Sequence, residues 1–216
     1  MAPNSRDAGG RLRPIPIAFN KDQLLDAFDE IALAAVAANT RIDIAVFGGS
    51  ALMLASNFRF STEDVDIAEI VRPWPQWLAD VVARIAARNG WVEGWLNDAV
   101  NTFLSPRAQP ERDLVTWGTF PRAADKTGLT VFVPTARYLL ALKLKALRVA
   151  KFDKGTKDIS DVAGLLQVLG ITAAEEAIAI LKEFYPNSAP DAERARFVLK
   201  HILSLESTID APQYPR

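Results

Sequence analysis

The stretch from residue 47 to residue 67, FGGSALMLASNFRFSTEDVDI, joins a glycine turn to a pair of acids. An apolar segment rich in β-branched residues, 41–47, precedes the turn and predicts a strand that runs into it. Ser50 has the position of a helix N-cap, and good helix formers follow it. Backbone N–H groups of Gly48, Gly49 and the helix start would then point to one spot, which suits a phosphate.

Asp64 and Asp66 close this stretch as two acids separated by one apolar residue. On a strand both carboxylates lie on one face, while Val65 and Ile67 lie on the other. Two like charges so close repel each other, and a divalent cation relieves the repulsion. Mg²⁺ binds carboxylates and keeps positions for substrate phosphates, so the pattern predicts a nucleoside-triphosphate and metal site. The alternative is a solvated acidic strand end beside an ordinary glycine turn.

The composition excludes several classes of protein. The chain has 216 residues, 50% of them hydrophobic, and a formal charge of −1, which gives no global basic field for nucleic acid. It has no cysteine and one histidine, His201, so the usual Ser-His, Cys-His and zinc sites are excluded. No stretch is apolar for long enough to span a bilayer, and residues 1–13 lack a signal-peptide pattern. We therefore expect a cytoplasmic protein without a membrane association.

The periodicity predicts an α/β (α+β) fold, in which a small mixed β-sheet is followed by a helical C-terminal part. We expect a flexible tail over 1–18, a core over 19–134 and a helical subdomain over 135–216. The remaining predicted elements are helices over 22–39 and 77–89, strands over 91–96 and 129–133, and short apolar runs over 100–104 and 114–120.

Lys143 is the most informative residue outside the opening stretch. It lies in a predicted helix over 135–151, inside the apolar stripe between Leu139 and Leu147. A buried ammonium without a partner is costly, so Lys143 either extends its stem to the surface or meets a carboxylate or a phosphate. Lys145 falls on the opposite arc of this helix and is more simply solvated.

Asp158 and Asp161 lie three residues apart, on the predicted first turn of a helix that opens at residue 157. Helix capping and complementarity to the helix dipole are an equally good explanation for Asp161. Asp158 projects onto the apolar side, as Lys143 does, so an ion pair between these two residues would satisfy both.

The glycine turn and the acid pair resemble the nucleotidyltransferase superfamily with the polymerase-β-like fold. In that superfamily the acids hold Mg²⁺ and the Gly-Ser turn holds the triphosphate of the nucleotide. The resemblance implies that the metal ligands are Asp64 and Asp66, with Asp98 as the candidate for a third, and that the nucleotide-binding residues include Gly48, Gly49, Ser50 and Thr62.

The later part of the chain resembles the AbiEii-type toxin branch of this superfamily, in a compact and little-characterised subgroup. The resemblance rests on LLALK ending at Lys143, on Arg148, and on KDISDV over 157–162. In that branch a helix lysine contacts the triphosphate and an Asp of the following helix completes the site. This implies a nucleotide-binding role for Lys143 and Arg148, and a catalytic role for Lys143 with Asp158 or Asp161.

The resemblance implies an enzyme that moves an NMP from an NTP to an RNA end such as tRNA, or to a protein. The setting would be a bacterial toxin–antitoxin or phage-defence module, with an antitoxin protein as a partner. A cluster of basic residues mildly favours a nucleic-acid acceptor, although such a run is usually a solvated face. These residues are Lys145, Arg148, Lys151, Lys154 and Lys157.

Two alternatives remain open at this stage. A small-molecule nucleotidyltransferase of the antibiotic-modifying sort would have an acidic cleft beside the acid pair, for a cationic acceptor. A non-catalytic nucleotide-binding module of the same fold would have a site with only two acids.

Overall fold

The computed structural model describes residues 17–68, 74–147, 152–204 and 211–215, with the backbone alone for 152–157. These residues form a mixed α/β fold with eight α-helices, a five-stranded mixed sheet and a two-stranded sheet, which confirms the predicted fold class. The strands are Phe19–Asn20 (β1), Ile42–Phe47 (β2), Ser61–Thr62 (β3), Val65–Ala68 (β4), Leu96–Asn97 (β5), Leu114–Phe120 (β6) and Leu129–Pro134 (β7). The helices are Lys21–Ala37 (α1), Gly48–Ala55 (α2), Gln76–Asn89 (α3), Pro110–Asp113 (α4), Ala136–Ala146 (α5), Phe152–Leu169 (α6), Ala174–Phe184 (α7) and Ala189–Ser204 (α8).

The five-stranded sheet has the order β5-β4-β2-β7-β6. Strand β2 pairs antiparallel with β4 and parallel with β7, so the sheet is mixed, as predicted. Phe47 is opposite Asp66 in β4, and Asp66 is in turn level with Asn97 in β5. Residues directly opposite each other share a face, so these three side chains lie on one face of the sheet. Val46 and Ile67 lie on the other face, where both are fully buried.

The early helices, α1 and α3, begin and end within two residues of their predicted bounds. Asn20 caps α1 through a capping box with Gln23, because each side chain accepts a bond from the other's backbone N–H. Helix α3 ends at Gly90, which adopts the left-handed conformation with φ of 66°. These local signals fix the two helices that precede and follow the glycine turn and the acid pair.

The predicted strand over 91–96 is wrong for most of its length, since β5 contains only Leu96–Asn97. Its apolar residues are buried by aromatic packing rather than by a strand ladder. The ring of Trp91 stacks on Phe19 at 4.3 Å and meets Trp95 edge-on at 4.9 Å. The apolar run over 100–104 likewise forms a short 3-10 helix, Ala99–Thr102.

The predicted helix boundaries in the C-terminal part also need correction. Helix α5 ends at Ala146, and the remainder of the predicted helix over 148–151 lies outside the described residues. Helix α6 begins at Phe152, five residues before the predicted start at 157. All described elements after β7 are helical, as the sequence predicts.

One continuous cluster of buried apolar residues extends from the sheet into the C-terminal helices. Tyr138 of α5 packs edge-on against Phe47 of β2 at 5.9 Å and stacks on Phe184 of α7 at 4.9 Å. This packing fixes α5 against the sheet beside the glycine turn. Within the described ranges no single helix is long and apolar enough to cross a membrane, and one pair of helices bent by 96° meets the criteria only when joined.

Candidate functional site

The glycine turn places the start of α2 directly after β2. Gly48 has a φ of 64°, in the left-handed region that favours glycine. The residue at the N-cap position is Phe47, which has no side chain able to accept a backbone N–H. The prediction that Ser50 is the N-cap is therefore wrong. Ser50 is the third residue of α2, 1% exposed, and its hydroxyl donates to the carbonyl of Phe47 at 2.9 Å.

Asp66 lies against the start of this helix. A Cβ atom on Gly48 would be 2.9 Å from Oδ2 of Asp66, so only a glycine lets the carboxylate come so near the backbone. The contact follows from the register, since Asp66 is opposite Phe47 across β2 and β4. A carboxylate therefore lies at the positive end of an α-helix whose first turn has no side-chain cap.

The acid pair is asymmetric in its surroundings. Asp66 is half-buried in β4, whereas Asp64 precedes the strand and is exposed. Burial, and after it the charge of Asp64, raises the pKa of Asp66 from 3.8 to about 6, against the opposing effects of Lys143 and a hydrogen bond with Asn97. Ionisation of this carboxyl group is therefore unfavourable unless a cation lies nearby, which is typical of a metal ligand.

Thr62 lies beside the turn but has its hydroxyl engaged. It is 3% exposed, and its Oγ1 donates to the backbone carbonyl of Asp64 at 3.0 Å. The same oxygen is 3.4 Å from the point that a Cβ on Gly49 would occupy. The hydroxyl groups of Thr62 and Ser50 both donate their protons to backbone carbonyls. These side chains therefore stabilise the turn rather than supply donors to a ligand.

Lys143 is buried and paired, as the sequence predicts. Its side chain is 11% exposed, and Nζ lies 3.0 Å from Oδ1 of Asp158 and 2.8 Å from Oδ2 of Asp161. Burial by itself lowers the pKa of Lys143, but the charges and hydrogen bonds of the two aspartates outweigh it and hold the pKa above its ordinary value. The charge of Lys143 also lowers the pKa of Asp66.

The two aspartates of α6 differ in exposure. The side chain of Asp161 is 3% exposed and that of Asp158 is 39% exposed. Because α6 begins at Phe152, neither residue is on its first turn, and the helix-capping interpretation of Asp161 is wrong. Asp161 instead serves as the buried counter-charge of this part of the site.

Arg59 is a site residue that the sequence analysis missed. Its Nη1 lies 3.0 Å from Oδ1 and 3.1 Å from Oδ2 of Asp161, and its Nε donates to the carbonyl of Ser61 at 2.9 Å. Its Nη2 is 2.8 Å from the point that a Cβ on Gly49 would occupy, so the guanidinium covers the turn. The available signal was a single cation between the glycine turn and Asp64.

Asp98 does not join the acid pair in a group of three. In the described ranges no three Asp, Glu, His or Cys side chains are grouped so that they could hold a metal ion. The residue of β5 level with Asp66 is Asn97, an amide that hydrogen-bonds to Asp66. Asp98 follows it, at the start of the 3-10 helix, where it accepts a bond from Asn101 at 3.3 Å.

The predicted basic cluster is only partly described. Arg148 and Lys151 lie outside the described residues, and so do the side chains at 154 and 157. The prediction that Lys145 is simply solvated is wrong. Its Nζ lies 2.5 Å from Oδ2 of Asp191 and 5.9 Å from the centre of the Tyr185 ring. Lys145 therefore links two C-terminal helices.

The site brings together four carboxylates and two cations, which leaves a surplus of negative charge at the acid pair. One divalent ion would balance this surplus, and carboxylate oxygens are the ligands that Mg²⁺ prefers. The donor set therefore fits a Mg²⁺ ion held by Asp64 and Asp66. The four carboxylates are those of Asp64, Asp66, Asp158 and Asp161, and the cations are those of Arg59 and Lys143.

Two adjoining hollows lie on the face of the sheet that carries Phe47 and Asp66, although no candidate site residue lines either of them. The smaller, of about 110 Å³, is bounded by Phe47 and Ala45. The larger, of about 350 Å³, shares Ala45 and contains the acids Asp43 and Glu111. None of the described residues that line the larger hollow is basic. This groove is therefore more suited to a neutral or cationic group than to a phosphate backbone.

No protein-family model, no curated protein and no solved structure matches this chain. The functional interpretation therefore depends on the geometry of the site, and membership of the nucleotidyltransferase superfamily remains an expectation from the sequence motifs.

Proposed function

We propose that this protein binds a nucleoside triphosphate with Mg²⁺ and transfers its nucleotidyl group to an acceptor hydroxyl. One juxtaposition carries the proposal. The carboxylate of Asp66 lies against Gly48 at an uncapped helix start, the guanidinium of Arg59 covers Gly49, and Asp161 joins this guanidinium to the ammonium of Lys143. Acids for a metal ion and donors for phosphates are thus within reach of one triphosphate.

Each group of the site has a role in such a reaction. Asp64 and Asp66 would hold Mg²⁺, which neutralises phosphate charge and orients the α-phosphate when it is bound. The backbone at Gly49 would receive the β- and γ-phosphates. The acceptor hydroxyl would lose its proton to water as its oxygen attacks the α-phosphorus, the bond from this phosphorus to the bridging oxygen would break, and pyrophosphate would leave. Lys143 would stabilise the charge that develops on the departing pyrophosphate.

The acceptor would occupy the groove that the two hollows form on this face of the sheet. The sequence motifs favour an RNA end such as tRNA, or a protein, and a toxin that acts with an antitoxin. The acids Asp43 and Glu111 in the groove support a different acceptor, a small cationic molecule with a hydroxyl group. A test of the reaction therefore has to offer all three kinds of acceptor.

A non-catalytic nucleotide-binding module is the second candidate, and Asn97 is the observation that favours it. An amide occupies the position level with Asp66 on the neighbouring strand, where a further acid would be closest to the pair. A site with two acids can bind a metal–nucleotide complex without aligning it for attack.

Incubation with each α-labelled NTP and Mg²⁺ separates these candidates. The reactions contain total cellular RNA, a protein extract or polyhydroxylated amines, and release of pyrophosphate is measured beside transfer of label. Transfer that disappears in Asp64→Asn/Asp66→Asn supports the enzyme, and the labelled fraction identifies its acceptor. Calorimetric binding that needs Mg²⁺ and the acid pair, without transfer, supports the module. No Mg²⁺-dependent binding of any NTP would refute both.

A toxin role has its own test in a bacterial host. Induced expression of the parent chain should arrest growth, and the Asp64→Asn/Asp66→Asn variant, expressed to the same level, should not. Equal growth of the two strains would remove the toxin interpretation and leave the chemistry to the labelling assay.

A further inference from the structure

We propose that Arg59 is a phosphate-binding residue, which Asp161 holds over the glycine turn. The inference rests on the proposed function for the nature of the ligand, a nucleotide polyphosphate. It adds a residue that no motif of the sequence indicates and gives the buried carboxylate of Asp161 a positioning role, because Asp161 acts through the two cations that it binds.

The hydrogen bonds of Arg59 leave one end of its guanidinium available. A guanidinium has five N–H donors in a fixed plane. Nε donates to the carbonyl of Ser61, and Nη1 lies within hydrogen-bond distance of both oxygens of Asp161. Nη2, with two donors, has no acceptor among the described residues. The available donors are therefore those on the side that faces Gly49.

Gly49 is what lets this end of the guanidinium reach the turn. A side chain at this position would collide with Nη2 at 2.8 Å and with Cζ at 3.3 Å. Because position 49 has no side chain, Nη2 lies over the first turn of α2, where no side chain caps the backbone N–H groups. Two kinds of donor therefore converge, and a phosphate accepts bonds from both in the same way.

Asp161 orients both cations of the site at once. It is 3% exposed and binds the guanidinium of Arg59 and, at 2.8 Å, the ammonium of Lys143. Two bonds to aspartates use two of the three donors of Lys143, so this ammonium also keeps one N–H for a ligand. Side chains already fixed by a buried carboxylate lose little further entropy when a phosphate binds.

Other contacts hold the loop that carries Arg59, so anchoring the loop does not require this guanidinium. Asn57 donates to the carbonyl of Ala211 and accepts from the N–H of Gln213. Phe58 packs against Gly164 of α6, where a Cβ would be only 2.5 Å from its ring. The loop would remain attached to α6 and to the C-terminal segment if Arg59 were replaced.

Binding of a graded series of phosphates tests the inference. The probes are an NMP, an NDP, an NTP and inorganic tripolyphosphate, each titrated calorimetrically with Mg²⁺ into the parent chain and Arg59→Gln. Loss of charge-assisted bonds to phosphate should weaken NTP and tripolyphosphate binding by about 10- to 100-fold. NMP binding should change little, because the β- and γ-phosphates make the contacts.

Two variants separate phosphate binding from a structural role. Asn57→Ala weakens the loop anchor but keeps the guanidinium, and it should retain most of the affinity for tripolyphosphate. Arg59→Gln/Asp161→Asn replaces the ion pair by two amides, which restores the charge balance at Asp161 without restoring a cation. Its tripolyphosphate affinity should stay as low as that of Arg59→Gln.

The outcomes distinguish this inference from the proposed function. Unchanged affinity in Arg59→Gln, an equal loss for NMP and NTP, or recovery in the double variant would overturn the role of Arg59, even if transfer occurs. Arg59-dependent binding of tripolyphosphate without nucleotidyl transfer would support the role of Arg59 and refute the enzyme. A parent chain that binds none of the four probes would overturn the role of Arg59 as well.

Discussion

The site has two halves that are built in different ways. The sheet half, Gly48 with Asp64 and Asp66, is fixed by the pairing of β2 with β4 within some twenty residues of chain. The helix half, Lys143 and Asp161, is fixed by buried ion pairs between helices. Negative charge is in excess in the first half and balanced in the second. Replacing a buried acid by its amide should therefore stabilise the protein when the acid belongs to the sheet half and destabilise it when the acid belongs to the helix half.

The largest expected effect is that of Asp161→Asn in the helix half. This change leaves Lys143 and Arg59 without their shared counter-charge in a buried site. Removing one partner of a buried ion pair costs about 3–5 kcal/mol of unfolding free energy. Urea unfolding measures the loss. The control is Asp158→Asn, whose carboxylate is 39% exposed and binds only Lys143, and which should cost less. Equal losses would show that burial of Asp161 does not govern this half.

Lys143→Ala should have the next largest effect, on turnover. Lys143 would act on charge that develops as pyrophosphate leaves, so its removal should reduce turnover by about 10²-fold and NTP affinity by less. Steady-state kinetics with a minimal hydroxyl acceptor measures both. Lys145→Ala is the matched control, because it also removes an ion pair of α5, the one with Asp191, on the opposite arc of the helix. An equal effect of the two substitutions would contradict the placement of α5 over the site.

The sheet half was largely predictable from the sequence, since its signals are local. Alternation of acids and apolar residues predicted the strand that holds Asp66, although β4 begins at Val65 and Asp64 precedes it, and the glycines predicted the turn. Ser50 was assigned wrongly as the N-cap because α2 begins at Gly48 and its N-cap is Phe47, three residues earlier. The strand before Asn97 was overestimated because aromatic packing buries the same apolar residues without a ladder.

The helix half was predictable only as far as helical periodicity extends. The apolar stripe of α5 identified Lys143, and the need for a partner identified Asp158. Asp161 remained ambiguous because the sequence did not fix the start of α6. Arg59 was missed because a loop has no period, and its contact with Asp161 joins residues 102 positions apart. Only tertiary packing places these two residues together.

Asp66→Asn should stabilise the metal-free protein at neutral pH. The pKa of Asp66 is about 6 in the folded chain and near 3.8 in the unfolded chain, so the folded state holds this proton more tightly. The ionised carboxyl therefore disfavours folding by about 1–3 kcal/mol once the pH exceeds both values. Thermal unfolding in EDTA at pH 7.5 should show the variant melting at a higher temperature than the parent.

The pH dependence of this difference tests its cause. Below about pH 3.8 both states of the parent are protonated at Asp66 and the cost vanishes; it develops as the pH rises towards 6. The gap in melting temperature should therefore be wide at pH 7.5 and close towards pH 4. A gap that stays constant with pH would assign the stabilisation to something other than the charge, and the contrast between the halves would lose its electrostatic basis.

The smallest expected effect is that of Gly164→Ala, which acts where the two halves meet. A Cβ at this position would be 2.5 Å from the ring of Phe58, so the ring has to move. Overpacking of this kind costs about 1–3 kcal/mol, whereas replacing a helix glycine by alanine gains about 1 kcal/mol, so the net loss of stability should be modest. Because Arg59 is the next residue along the chain, the displacement of the ring should also weaken NTP affinity several-fold.

Urea unfolding and NTP titration of the same preparation compare the two quantities. Ser160→Ala is the control, since this exposed residue of α6 gains helix propensity without meeting the loop. It should leave NTP affinity unchanged. If Gly164→Ala also left affinity unchanged, the ring of Phe58 would move independently of Arg59, and the loop would not transmit the geometry of α6 to the glycine turn. The ion pairs of Asp161 would then be the contact through which the geometry of α6 reaches the glycine turn.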